Sequence, residues 1–112
     1  MPPIYMNGVP ELLLLRLLSD RESYGYELSG ALRVATSERL ALGEGSIYTT
    51  LHALEAKGLV RTRTVLHEGR PRVYYRVTAK GSKRLAAATD TWRRVSRSVN
   101  AVLAKGLHGV AL

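Results

Sequence analysis

The stretch EGRPRVYYRVT, Glu68 to Thr78, decides the fold. It joins a Gly-Arg-Pro-Arg turn to a run of alternating apolar and polar residues. Side chains of a strand point alternately to its two faces. Val73, Tyr75 and Val77 therefore share one face, expected to anchor in the core, and Tyr74 and Arg76 share the other. The segment before the turn, Leu59 to His67, alternates as well, with Val60, Thr62, Thr64 and Leu66 against Arg61, Arg63 and Val65. Two such runs around a Gly/Pro turn form a β-hairpin, with strands over Leu59 to His67 and Val73 to Val77. Arg70 and Arg72 are expected at its tip, flanking Pro71.

Upstream, Ser46 to Lys57 has helical spacing. Ile47, Leu51 and Leu54 make one apolar face, and Gly58 follows at the position where a left-handed residue commonly ends a helix. The opposite face carries Ser46, Thr49, Thr50, His52, Ala53 and Lys57. Small and hydrogen-bonding residues of this kind suit an element that enters a groove and reads base edges. Gly43-Glu44-Gly45 turns the chain into this helix, and the alternating Leu40-Ala41-Leu42 reads as a short strand. A second helix is expected from Ser23 or Tyr24, with Leu28, Leu32 and Ala35 as its inner stripe. Gly25 in its first turn lacks a Cβ and allows a neighbour or ligand to approach the backbone. The first helix, Pro10 to Leu18, is apolar nearly all round and should be buried.

Downstream, Thr78 can cap a long final helix, with Gly81 tolerated early in it. Leu85, Ala88, Trp92, Val95, Val99 and Val102 repeat at alternating steps of three and four, the spacing of an a/d seam. Arg93, Arg94, Arg97 and Asn100 lie off that seam. The order helix, helix, short strand, helix, strand, turn, strand is a winged helix-turn-helix. The fold class is mainly α with a small β-hairpin, extended by a long C-terminal helix. Residues 1–81 are expected to form a DNA-binding domain, and residues 82–112 a dimerisation helix and tail. No core remains for the last apolar stripe, so a second copy of the chain is its natural cover.

Composition narrows the function. The 112 residues include 17 Lys+Arg against 9 Asp+Glu, a formal net charge of +8. With a pI near 10.3, an anionic partner such as nucleic acid is favoured. Cysteine is absent, which removes disulfides, thiolate nucleophiles and cysteine metal sites. The three histidines, His52, His67 and His108, are scattered and make no metal site. No cofactor is expected. No nucleophile–base set, phosphate loop or paired carboxylates in a cleft points to an enzyme. No apolar run approaches the ~20 residues of a membrane helix. The N-terminus lacks a signal peptide's basic start, so a cytoplasmic location is expected.

Tyr24-Gly25-Tyr26-Glu27-Leu28, Ser46-Ile47-Tyr48-Thr49-Thr50-Leu51, Leu54-Glu55-Ala56-Lys57-Gly58-Leu59-Val60 and Gly69-Arg70-Pro71-Arg72-Val73-Tyr74-Tyr75-Arg76-Val77-Thr78 with Gly81 stand in one order. Together they resemble the PadR family of bacterial transcriptional regulators. The resemblance runs over about residues 10 to 81, and Trp92 fits the family's C-terminal helix. It implies a homodimeric repressor on a palindromic operator, of the short kind with one C-terminal dimerisation helix. In some members a tryptophan on that helix faces its mate and stacks flat aromatic ligands, and Trp92 occupies the similar place. One departure is Gly43, where the family usually has Ser, Thr or Asn before the recognition helix.

The site expectations follow. Ser46, Thr49 and His52 are candidates for base edges, since such a helix presents its N-terminal half to the groove. Arg70 and Arg72 would meet the backbone or the minor groove, where narrow width draws arginine. Lys57, Arg61 and Arg63 add to the field and can touch phosphate. Tyr24 and Tyr48 have two readings each, a phosphate contact through the hydroxyl or packing within the fold. Leu85, Ala88, Trp92, Val95 and Val99 are expected at a dimer and effector interface. There Trp92 is either a buried aromatic of the dimer core or the platform for a flat aromatic or apolar ligand. The alternative to a DNA-binding regulator is a winged-helix protein-interaction module.

Overall fold

The computed structural model describes residues 8–111. Four helices surround a small three-stranded sheet: α1 (Val9–Asp20), β1 (Ser23–Tyr24), α2 (Gly25–Ala35), α3 (Glu44–Ala56), β2 (Val60–His67), β3 (Arg70–Val77) and α4 (Ala79–Lys105). The sheet order is β1-β3-β2, antiparallel throughout. This is a winged helix with a long C-terminal helix.

The apolar faces read from the sequence meet in one core. Leu14, Leu15 and Leu18 of α1 pack with Leu28 of α2 and with Ile47, Leu51 and Leu54 of α3. Leu59, Val60 and Tyr75 close the core from the sheet side. Most of the stability lies here, at roughly 1.5–3 kcal/mol for each large side chain fully removed from water.

Local chemistry then fixes the joints. At the end of α3, Gly58 has φ +73°. Its N–H donates to Glu55 O at 2.9 Å, and Leu59 N–H donates to Leu54 O at 2.9 Å. This paired reverse bonding is a Schellman motif, and it turns the chain straight into β2. At the start of α4, Thr78 N–H donates to Leu59 O at 3.1 Å. The Thr78 hydroxyl donates to Gly58 O at 2.8 Å and accepts from Gly81 N–H at 3.0 Å. Gly81 is buried there, and a Cβ on it would stand 2.0 Å from Leu59 O. Glycine at 81 is therefore required, where the sequence alone suggested it was merely tolerated.

Four other expectations are corrected. Leu40-Ala41-Leu42 forms no strand; the third strand is Ser23–Tyr24, paired with Tyr75 and Tyr74 of β3. Ala35 is exposed, because α2 ends at that residue and its buried stripe stops at Leu32. The hairpin tip is Glu68-Gly69, with φ values of +51° and +78°. A two-residue loop with both φ positive is the type I′ pattern that matches strand twist. Arg70 and Pro71 already lie in β3, opposite His67 and Leu66, and Arg72 lies opposite Val65. Val73 is 41% exposed, so of its face only Tyr75 and Val77 reach the core region.

Candidate nucleic-acid interface

The outer face of α3 presents Ser46, Thr49 and His52 to solvent. Ile47, Leu51 and Leu54 bind the same helix to the core from behind. Gly43 is the N-cap and supplies no side-chain bond, and Glu44 stands in the first turn. Tyr48 is half-buried, with its ring seated on the backbone of Gly25. A Cβ at position 25 would lie 2.8 Å from the ring and the hydroxyl oxygen. The neighbour that Gly25 admits is thus the recognition helix's own tyrosine. Its ring centroid lies 6.3 Å from that of His52.

A groove runs between α3 and the distal hairpin. Tyr24, Tyr48, His52, Arg70, Pro71 and Arg72 are among the residues that line it. The two wing arginines differ within it. Arg70 is exposed and makes no ion pair with the described residues. Arg72 is half-buried, its guanidinium carbon 4.1 Å from the centroid of the Tyr24 ring. Tyr24 meets Tyr74 edge to face at 5.4 Å, and Arg63 lies over Tyr74 at 5.6 Å. The N–H of Tyr24 also donates to the Glu27 carboxylate at 3.2 Å, fastening the start of α2.

Two of the expected phosphate-binding cations are engaged within the chain. Arg63 Nε donates to both oxygens of Glu22 at 2.8 and 2.9 Å. Lys57 Nζ donates to Glu11 at 3.1 Å, and Arg84 reaches the same carboxylate at 3.3 Å. Sequence reasoning missed Glu22 and Glu11 because their partners lie 41 and 46 residues away. Arg61 stands directly opposite Arg76 across the hairpin, leaving two like charges side by side.

Electrostatics follow these contacts. The hydrogen bond from Arg63 holds the Glu22 carboxyl below its ordinary range, and the same bond raises Arg63. Arg72 is raised first by hydrogen bonding with Tyr74. Burial pushes the Tyr75 hydroxyl up from its ordinary value.

Along α4 the expected seam is used unevenly. Leu85 packs against the chain's own core, and Ala88 and Val95 are half-buried. Trp92 is 37% exposed and Val99 49% exposed, with Val102 and Leu103 more open still.

Comparison with known proteins decides what this geometry belongs to. Residues 14–87 match the transcriptional regulator PadR-like family, a span from the middle of α1 to just past Leu85. The chain belongs to the PadR-like family of transcriptional regulators. A Mycobacterium tuberculosis transcriptional regulator is 30% identical over 93% of this PadR-like chain and 92% of its own length. A transcriptional regulator from Clostridium thermocellum superposes with a TM-score of 0.80 at 27% identity, covering 89% of this chain and 95% of that one. A PadR-like regulator from Bacillus cereus superposes with a TM-score of 0.73 at 34% identity, covering 88% and 94%. PadR regulators bind DNA and commonly dimerise. No described helix is long and apolar enough to cross a membrane. Among the described residues, no group of three His, Cys, Asp or Glu side chains could hold a metal ion.

Proposed function

We propose that this PadR-like regulator is a homodimeric, ligand-responsive repressor of a palindromic operator. The observation that carries the reading is the exposed Ser46, Thr49 and His52 face of α3 beside a wing whose Arg70 is exposed and makes no ion pair with the described residues. On this reading α3 enters the major groove and Arg70 follows the adjacent backbone or minor groove. Tyr48 lies close enough to the groove to offer its hydroxyl to a phosphate while its ring packs on Gly25. Residues 1–81 serve as the DNA-binding unit and residues 82–112 as the dimerisation unit. The apolar side chains from Trp92 to Val102 pair with those of a second copy. A cytoplasmic location goes with this role.

The dimer also supplies the means of regulation. Half-sites one turn apart require recognition helices about 34 Å apart. A flat aromatic or apolar ligand between the two Trp92 side chains weakens DNA binding if it prefers a dimer with another spacing. A ligand can shift an equilibrium only by its differential affinity for the two states.

Fluorescence anisotropy with labelled duplexes tests the DNA reading. If six phosphates are neutralised, log K against log salt falls with a slope of about −5. A combined Thr49→Ala and His52→Ala change should remove most of the preference for the best duplex over random DNA. A flat salt response with no preference would leave the protein-interaction module as the better reading. For the effector, Trp92 is the single tryptophan of the chain, so its fluorescence reports directly on a planar aromatic titrant.

A further inference from the structure

We infer that the aim of the wing is set by a strut of charged side chains and rings, Arg72, Tyr24, Tyr74, Arg63 and Glu22, and that Arg72 is a positioning residue and not a DNA contact. The need for a strut follows from the sheet. Strand β1 pairs only with Tyr74 and Tyr75, so the hairpin from Arg70 to Val73 has no third strand beside it. A two-stranded hairpin alone is marginal in water, so this outer part draws its support from side chains.

Four of the strut members, Arg72, Tyr24, Tyr74 and Arg63, share one face of the sheet, and Glu22 lies just before β1. Tyr24 is opposite Tyr74 in β1, Arg63 is opposite Tyr74 in β2, and Arg72 precedes Tyr74 by one strand period. The contacts run without a gap: Arg72 on Tyr24 at 4.1 Å, Tyr24 on Tyr74 at 5.4 Å, Arg63 on Tyr74 at 5.6 Å, and Arg63 on Glu22 at 2.8 Å. Cation–ring contacts at these distances are attractive because the ring face is negative. The anchor at the body end is also significant. Tyr24 is the N-cap of α2, and the next residue, Gly25, seats Tyr48 of α3. The strut therefore ties the wing to the point that holds the recognition helix, and fixes the angle between the two DNA-facing elements. Arg70, one residue before Pro71, takes no part in it.

Amide hydrogen exchange on the free protein tests this without DNA. In Arg72→Ala, amides of residues 62–73 should exchange about two- to fivefold faster, the range of an exposed cation–ring contact. Tyr24→Leu should do the same, the double variant should exceed neither single by much, and Arg72→Lys should fall between. Arg70→Ala should match the wild type. Wild-type exchange in Arg72→Ala, or equal acceleration in Arg70→Ala, overturns the strut. These arms stand whether or not the protein binds DNA. A second arm rests on the proposed DNA reading. Arg70→Ala should reduce the salt slope by about one unit, whereas Arg72→Ala weakens binding at an unchanged slope. A lost unit of slope in Arg72→Ala would make Arg72 a phosphate contact and refute its positioning role.

Discussion

The start of α4 and the stretch from Trp92 onward belong to one helix, yet they sit in different surroundings. Near Thr78 the helix is fastened by hydrogen bonds to Gly58 and Leu59, and Gly81 leaves no room for a methyl group. From Trp92 the apolar repeat that Leu85 begins grows open, with Val99 and Val102 49% and 67% exposed. An amphipathic helix normally buries its apolar stripe against something. The first part has the chain's own hairpin and core, and the second lacks any such cover among the described residues. The difference teaches that periodicity marks a face to be buried but does not say by whom.

The largest effect should come from closing the space at the fastened end. Gly81→Ala drives a Cβ into a backbone carbonyl, which cannot swing aside as a flexible side chain can. The expected loss is about 3 kcal/mol or more in chemical denaturation. A variant as stable as the wild type would break the contrast between the two ends. At the open end, Trp92→Ala should weaken the dimer roughly 30-fold or more in sedimentation, as loss of a buried aromatic anchor does. It should leave the fold of each subunit intact by circular dichroism. If the association constant does not change, the stripe is not the dimer seam.

Smaller effects sharpen the same comparison. Gly58→Ala places a Cβ at φ +73° in the joint between α3 and β2. A cost of about 1–2 kcal/mol is expected in thermal or chemical unfolding, without change in the dimer constant. The least effect belongs to Glu22. Arg63 lowers its pKa in the folded chain, so the stabilisation is present above the ordinary value of 4.5 and is lost as pH falls through the lowered one. Wild type and Glu22→Gln should therefore differ slightly in melting temperature at neutral pH and converge in acid. The difference is small because the pair is at the surface. A gap that widens on acidification would contradict the assignment.

Much of this architecture was legible because its signals are local. The apolar stripes of α1 and α3, the Gly58 stop, the Thr78 cap and the alternation of β2 and β3 each lie within a few residues. What escaped depends on distant pairing. Ser23 and Tyr24 are too few to show a period, and become a strand only because the open edge of β3 accepts them. Leu40 to Leu42 alternates but meets no strand. The tip was misplaced by Pro71, whose ring invites a turn although Glu68-Gly69 supplies the two positive φ values. In the candidate site, the outward placement of Ser46, Thr49 and His52 followed from helical spacing. The engagement of Lys57, Arg63 and Arg72 by Glu11, Glu22 and Tyr24 did not, because it needs three dimensions.

The central claim is that two copies, joined through the open end of α4, read DNA with α3 and the wing. Selection from a pool of random-sequence duplexes by the full chain, followed by sequencing, tests it most directly. The account predicts an inverted repeat with half-site centres about 10 base pairs apart, or a multiple of that. Under the same selection Trp92→Ala should recover only a weak single half-site. Enrichment of no sequence, or of an asymmetric site that Trp92→Ala selects equally well, would contradict it.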